Sequence, residues 1–369
     1  MKIAYVLTSL GIGGAERQAL ALGERMARRG HAVTLLVLSS PLADECPTTL
    51  DATYLGMNRT LARAVAGITK ARRFLKTFLP DILHSHSFHA NMAARLLRVA
   101  TPVVPVISTI HNIHEGGRSR MLAYRLTDGL SFRTTTVSRA VADRFVGIHA
   151  VSANKCLVVS NGIDTAEFTS CPARRERMRS AMGVRKEFVW LAAGRIVPAK
   201  DYPNLLSAFA KVRSEYPQVR LWIAGAEVSA GAAAALRTFA AELGLEEAVV
   251  WLGMRRDLPG LLDAADGFVL GSAWEGMPLA VGEAMAMAKP VVATDAGGTR
   301  EMIGDAGWVA PCRNPDALAA AWLECMRSPQ GEREMRGGLA RERIEKLFNI
   351  EERADKWEAI YQDVLRSRR

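Results

Sequence analysis

Short apolar runs alternate along the chain with longer stretches in which apolar residues return at helical spacing. Strands are read in the first half at 2–7, 32–38, 81–86, 103–110 and 133–137, and in the second at 188–193, 220–224, 248–252, 267–270 and 290–294. Strands that alternate with helices build a parallel, doubly wound sheet, so the pattern predicts an α/β chain with two Rossmann-like domains in series. A length of 369 residues agrees, because one hydrophobic core stops growing at about 250–300 residues. The apolar pattern breaks at 169–184, where Pro172 precedes the charged run from Arg174 to Arg179. The expected division is therefore 1–170, 171–348 and a closing charged helix at 349–369 that carries Trp357, Ile360, Tyr361 and Leu365 on one stripe.

Composition narrows the class. With 49% hydrophobic and 23% charged residues the chain reads as a soluble globular protein, and no apolar run approaches the roughly 18 residues of a membrane span. Lys2 leads straight into Ile-Ala-Tyr-Val-Leu without the layout of a signal peptide, which predicts a cytoplasmic protein. Cysteines 46, 156, 171, 312 and 325 have no paired spacing, which fits a reducing compartment and suggests neither disulfides nor zinc.

The net charge of +10 is uneven: residues 1–170 hold 20 Lys/Arg against 11 Asp/Glu, and residues 171–369 hold 28 against 27. No recognition helix, zinc finger or RNA-binding aromatic motif accompanies the surplus, so nucleic acid is not the expected partner. An acid-free stretch between Asp51 and Asp81 carries six bases, with Arg59, Arg63, Lys70 and Arg73 on one helical stripe and Leu61, Val65, Ile68 and Leu75 opposite. Two readings stay open: a solvated basic face, or a face that meets anionic phospholipid and so brings a lipid-linked acceptor within reach.

Open parallel sheets bind ligands beyond the carboxyl ends of their strands, and the chemistry-bearing residues fall on those loops. Gly11, Gly13 and Gly14 follow the first run, but Glu16 stands where a dinucleotide fingerprint needs its third glycine and the second run ends without an acid, so NAD is not expected. The loop instead lets an acceptor or the phosphates of a donor approach, or is a plain tight turn. Arg195 and Lys200 flank Val-Pro-Ala after a strand, a fork and a point charge that can converge on one diphosphate. The chain has no Asp-x-Asp metal anchor, so no metal and no cofactor is predicted, and the cations take that role. His84, His86 and His89 form H-x-H-x-x-H without a nearby carboxylate or thiol, a weak metal signal. His111, in Ser-Thr-Ile-His-Asn, is the stronger functional candidate.

The most specific stretch runs from Glu275 through Gly276, Met277, Pro278 and Leu279 to Glu283, two carboxylates around a helix start whose unpaired amides favour an anion. Together with Arg195–Lys200, Gly13-Gly14, the Asn161-Gly-Ile-Asp164 turn and the terminal helix, in that family's order, it resembles the retaining family-4 glycosyltransferases of the GT-B fold. The resemblance implies two Rossmann-like domains facing across a cleft, and transfer of a hexose-type sugar from a nucleotide-diphosphate donor, UDP-linked by expectation, to a growing surface glycan. It implies that His111 contacts the transferred sugar, Glu275 the sugar hydroxyls and Glu283 the ribose, that Asn161 lies beside the nucleotide, and that the terminal helix crosses back to the first domain. Met254, after the strand holding Trp251, is placed over the nucleobase. An epimerase of the same architecture and a non-catalytic nucleotide-sugar binder are the alternatives.

Overall fold

A computed structural model of the protein describes residues 1–57, 60–100 and 104–367. The chain forms two compact units, Met1–Gly162 with Ile350–Arg369, and Ile163–Asn349.

The first unit opens with β1 (Lys2–Leu7), α1 (Gly14–Arg28), β2 (Ala32–Val37), β3 (Ala52–Tyr54), α2 (Leu61–Phe78) and β4 (Ile82–His86). It continues with α3 (Phe88–Ala100), β5 (Val106–Ile110), α4 (Arg118–Thr127), β6 (Arg133–Thr136), α5 (Arg139–Gly147) and β7 (Cys156–Val158). The second unit runs through α6 (Pro172–Ala181), β8 (Val189–Ala193), α7 (Tyr202–Glu215), β9 (Arg220–Ala224), α8 (Ala232–Glu242), β10 (Val249–Gly253) and α9 (Leu258–Ala264). It ends with β11 (Gly267–Leu270), α10 (Leu279–Ala286), β12 (Val291–Thr294), α11 (Thr299–Ile303), β13 (Trp308–Ala310), α12 (Pro315–Arg327) and α13 (Gln330–Leu347). The last helix, α14 (Ile350–Arg366), belongs to the first unit.

Strand order is β3-β2-β1-β4-β5-β6-β7 in one sheet and β10-β9-β8-β11-β12-β13 in the other. Every pairing is parallel, as in Lys2 against Ala32 and Val292 against Trp308. Both halves are thus Rossmann-like, as the alternation predicts. The three strands that the sequence pattern does not mark, β3, β7 and β13, have three residues each and lie at sheet edges; β3 and β7 are partly exposed, whereas Trp308 and Ala310 of β13 are buried. Val103, expected to open the fifth strand, lies outside the described residues.

Packing explains two departures from the sequence reading. The stretch 169–184, where the apolar pattern breaks, contains α6, which packs on α9 in the second unit. Its arginines are spent on internal carboxylates, Arg174 on Asp263, Arg175 on Asp266 at 2.5 Å and Arg179 on Asp266 at 3.1 Å. On α2 the buried line is Gly67, Ala71 and Leu75, so Val65 and Ile68 are exposed rather than packed. Small residues let the helix approach closely; a Cβ on Gly67 would stand 2.3 Å from the Met57 side chain.

Elsewhere the cores follow size and shape. Trp190 and Trp322, both fully buried, meet edge to face at 5.2 Å, and the ring of Trp190 fills the space above Gly267. Helix α14 lies on α1, with ion pairs from Arg25 to Glu351 (2.8 Å) and from Arg29 to Asp355 (2.6 Å). Its buried Tyr361 reaches the sheet: the hydroxyl lies 2.6 Å from His84 Nδ1 and 3.0 Å from the Tyr5 hydroxyl.

Replacing Tyr361 by Phe strands a buried imidazole nitrogen and a buried phenol. It is expected to lower stability by about 1–3 kcal/mol, read as a shifted urea midpoint. An unchanged midpoint would show that the hydroxyl chain does not fasten α14.

Candidate active site

In each sheet the strand order reverses once, between β1 and β4 and between β8 and β11. Loops that leave a reversal point diverge to opposite faces and open a crevice outside the carboxyl ends of the strands. In the second unit, that crevice lies between the loop after β8, which carries Arg195 and Lys200, and the loop after β11, which carries Glu275.

The structure brings Lys200 and Glu275 together. Lys200 Nζ donates to Glu275 Oε1 at 2.6 Å, and Ser272 Oγ donates to the same oxygen at 2.7 Å. With both bonds on Oε1, the second carboxylate oxygen is left to accept from a ligand. Glu275 is only 8% exposed, so an ion pair there is made away from most solvent. The two loops are tied by the backbone bond from Ala273 N to Ala199 O at 2.8 Å, and Thr294 Oγ1 donates to Ser272 O at 2.6 Å. Gly297 adopts φ +57° with its ideal Cβ position 2.1 Å from Glu275 O, so only glycine fits beside that carbonyl. Tyr202 donates to Gly194 O at 2.6 Å; burial, and then the nearby Glu275 charge, push its hydroxyl pKa up. Arg195 is exposed on the same loop as Lys200.

Helix α10 starts after Pro278, which occupies the N-cap. Gly276, Met277 and Pro278 are buried, Leu279 is half-buried at the first helical position, and Glu283 is 2% exposed. Beside the crevice opens a cavity of about 580 Å³ lined by Pro198, Asp201, Asn204, Trp274 and Arg313 among others. Met254 is exposed and follows Gly253, whose φ is +63°.

In the first unit, Gly13 is the N-cap of α1 and Gly14 its exposed first residue. The carboxylate of Glu16 fills the position of a Cβ on Gly13, so the helix start carries its own anion. Asn161 is buried, and the next amide, Gly162 N, donates to Gln18 Oε1 at 3.1 Å. Arg63 and Arg73 are exposed on α2, while Lys70 Nζ donates to Tyr54 O at 2.5 Å; Arg59 lies outside the described residues.

The histidines separate into roles that their spacing does not announce. His84 is saturated by Tyr361 and by Thr109 Oγ1 at 2.7 Å, and His89 lies beside Arg120. Among the described residues no group of three or more His, Cys, Asp or Glu converges as a metal site. His86 Nδ1 instead lies 2.9 Å from His111 Nε2, so one ring donates and the other accepts. Burial lowers all three pKa values, that of His111 to about 4 and those of His84 and His86 well below the ordinary imidazole value. The His111 amide donates to Glu115 Oε1 at 3.2 Å, and Tyr124 donates to Glu115 Oε2 at 2.5 Å. Burial pushes the Glu115 carboxyl up to about 7.

Comparison with known proteins agrees with this architecture. Residues 12–167 match the family model "Glycosyltransferase Family 4", and residues 187–328 match "Glycosyl transferases group 1". The chain is 24% identical over 390 residues to the UDP-Gal:alpha-D-GlcNAc-diphosphoundecaprenol alpha-1,3-galactosyltransferase of Escherichia coli, covering 99% of this chain and 97% of the relative. It is 29% identical over 325 residues to the D-inositol 3-phosphate glycosyltransferase of Mycobacterium sp. strain KMS, covering 79% and 72%. Among solved structures, Anabaena HepE crystallised with UDP and glucose superposes with a TM-score of 0.86 at 20% identity over 98% of this chain and all of that one. The sucrose-phosphate synthase of Thermosynechococcus elongatus gives 0.87 at 18% identity over the whole of both chains. Fold and matched segments together define a glycosyltransferase of GT-B architecture. The chain belongs to the family-4 glycosyltransferases.

Sequence reasoning passed over Ser272, Tyr202, Gly297 and Glu115, and read His86 as part of a weak metal signal rather than as the partner of His111. A serine three residues before Glu275 in the same loop was a signal within reach, whereas the others act through contacts made by separate loops and strands.

Glu115 gives a pH signature. Its folded pKa lies above the unfolded carboxyl value of 4.5, so the unfolded chain releases this proton first and the contribution to stability falls as pH rises from about 4.5 to 7. Glu115→Gln is expected to remove that slope, at most about 3 kcal/mol across the window. Parallel urea-midpoint curves for parent and variant over this range would refute the assignment.

Proposed function

We propose that the enzyme transfers a hexose-type sugar from a UDP-linked donor to a hydroxyl of a growing, lipid-linked glycan, with retention of the anomeric configuration and without a divalent metal. The observation that carries this reading is the Lys200–Glu275 pair at the β8/β11 crevice, with Arg195 on the same loop. The Escherichia coli relative, named for a UDP-galactose donor and a diphosphoundecaprenol acceptor, supports the donor and acceptor classes. The likeness to a protein crystallised with UDP and glucose supports the donor class alone.

Cleavage of the donor bond leaves a diphosphate anion beside an oxocarbenium-like sugar, so neutralising the leaving group is the main electrostatic task. Arg195 and Lys200 supply two cations there, with the amides at the start of α10 adding partial positive charge. Glu275, fixed through Oε1, offers its second oxygen to the sugar hydroxyls; Glu283 holds the ribose; His111 lies against the reacting face. Gly13 and Gly14 admit the acceptor side, and Gly276, Met277, Pro278, Leu279, Asn161 and Met254 enclose the nucleotide. The exposed bases of α2, Arg63 and Arg73 among them, draw the enzyme to the anionic inner face of the cytoplasmic membrane.

The direct test is a panel of UDP-sugars with a polyprenyl-diphosphate saccharide acceptor, the product identified by mass and its anomer by NMR. Sugar altered without any acceptor, or an inverted product, would sink the reading.

Arg195→Ala and Lys200→Ala are each expected to lower kcat about 100- to 1,000-fold, with EDTA nearly without effect. Activity abolished by EDTA with both substitutions tolerated would overturn the metal-free clamp. Glu283→Ala is expected to raise the donor KM, since a ribose contact is alike in ground and transition states, while Glu275→Ala lowers kcat as well. Equal effects of the two on both constants would argue against separate roles.

A further inference from the structure

His86 closes β4 with one of its ring nitrogens bonded and the other left alone. Its Nδ1 lies 2.9 Å from His111 Nε2, whereas its buried Nε2 has no hydrogen-bond partner among the described residues. The ring is only 3% exposed, stacked with Tyr5 at 5.6 Å and tilted against His84 at 4.2 Å. Neither neighbour is free to serve Nε2. His84 has Tyr361 on Nδ1 and Thr109 on Nε2, and the Tyr5 hydroxyl is paired with that of Tyr361.

The orphaned nitrogen decides the direction of the bond between the two histidines. A neutral imidazole carries one proton, on one nitrogen or the other. Both rings are neutral, because burial holds the pKa of His86 well below the ordinary value and that of His111 at about 4. If His111 were the donor, the His86 proton would sit on Nε2 as a buried N–H without an acceptor. If His86 is the donor, Nε2 holds only a lone pair. Orphaned buried N–H groups are rarer than under-satisfied acceptors, so the second arrangement is favoured.

That direction fixes the chemistry of His111. With Nε2 accepting, its proton lies on Nδ1, which bonds to no other described residue, and the side chain is partly exposed. His111 directly follows β5, at the carboxyl end of the sheet where parallel sheets bind their ligands, and its own amide is held by Glu115 at 3.2 Å.

We propose that His86 is a positioning residue: its Nδ1–H donates to His111 Nε2 and fixes His111 as the Nδ1–H tautomer, which meets a substrate oxygen as a hydrogen-bond donor and not as a base. The substrate part of this inference rests on the reading that His111 lies against the reacting sugar. One lone pair of His111 is engaged by His86 and the other nitrogen is protonated, so the neutral ring has nothing with which to take a proton. What it offers suits a hydroxyl or anionic oxygen of the sugar substrate.

The test begins with the full chain labelled with nitrogen-15 in its histidines. Long-range proton–nitrogen spectra near neutral pH are expected to show a pyrrole-type Nδ1 and a pyridine-type Nε2 on both rings, assigned by the signals lost in His86→Phe and His111→Ala. A protonated Nε2 on either ring overturns the proposal. In the transfer assay His86→Phe is expected to lower kcat about tenfold. His86→Asn, whose side-chain amide places an N–H near the Nδ1 position, is expected to restore most of that loss, and UDP affinity is expected to stay at the parent value in both. At position 111, which faces the substrate itself, His111→Asn is expected to turn over about tenfold or more faster than His111→Ala, because Asn keeps a donor and neither can act as a base. Equal rates for the two His86 variants, with parent-like melting temperatures, reduce His86 to a packing role and overturn the proposal. Equal rates for the two His111 variants overturn the donor role. A parent enzyme that turns over no UDP-sugar sinks the donor-substrate reading instead, and the spectra still decide the tautomer.

Discussion

An ammonium and a hydroxyl reach the same oxygen of the buried Glu275 carboxylate, and much of the second unit near the crevice is arranged to make that meeting happen. Desolvating two ions costs several kcal/mol each, and the attraction between them offsets this only when geometry is fixed. Fixing it requires the loops after β8 and β11 to run within hydrogen-bond distance of each other, which Ala273 N and Ala199 O do. It also requires backbone approaches that no Cβ would allow. Gly225 packs with its Cβ position 1.9 Å from Gly194 O, Gly194 faces the Lys200 stem, and Gly297 faces the Glu275 carbonyl. The reversal of strand order supplies the opening; the glycines let the loops close in on the pair.

What could be read from the sequence follows from how local each cause is. Strands of four to six residues leave apolar runs, and loops after them carry their polar residues in order, so the two-sheet plan and the positions of Lys200, Glu275 and His111 were legible. Edge strands β3, β7 and β13 leave no run because each has only three residues. The arginines of α6 read as a break in the apolar pattern because the acids that hold them, Asp263 and Asp266, come some ninety positions later in the chain. On α2 a stripe drawn through the largest apolar side chains misses a helix that packs through Gly67 and Ala71. Ser272 and Gly297 escaped for the same reason as α6: their meaning lies in which backbone approaches them.

The middle of the first sheet is polar where a parallel sheet is ordinarily apolar. His84, Ser85 and His86 on β4, Ser108 and Thr109 on β5, and Thr134, Thr135 and Thr136 on β6 are all buried. They satisfy one another across the strands, as Thr109 Oγ1 does with both His84 and Thr135, or they serve Arg95, a buried cation that donates to Ser108, Thr134, Thr127 and the Tyr124 carbonyl. No carboxylate bonds to that guanidinium directly; its neutral acceptors and the Tyr124 ring at 5.1 Å stand in for one.

Tyr124 joins this network to the loop that carries His111. Its hydroxyl donates to Glu115 and accepts from Asn91, and Glu115 accepts from the amide of His111. The three linked imidazoles, whose pKa values burial lowers, stay neutral at physiological pH, whereas Glu115 is pushed up to about 7. Of these four groups, the one that changes charge near neutrality is therefore the carboxyl beneath the His111 backbone, not the imidazole itself. Ionised Glu115 accepts more strongly from the amide and from Tyr124 than the protonated acid does. A change of pH around 7 thus acts on the loop that carries His111, while the ring keeps its neutral pairing with His86.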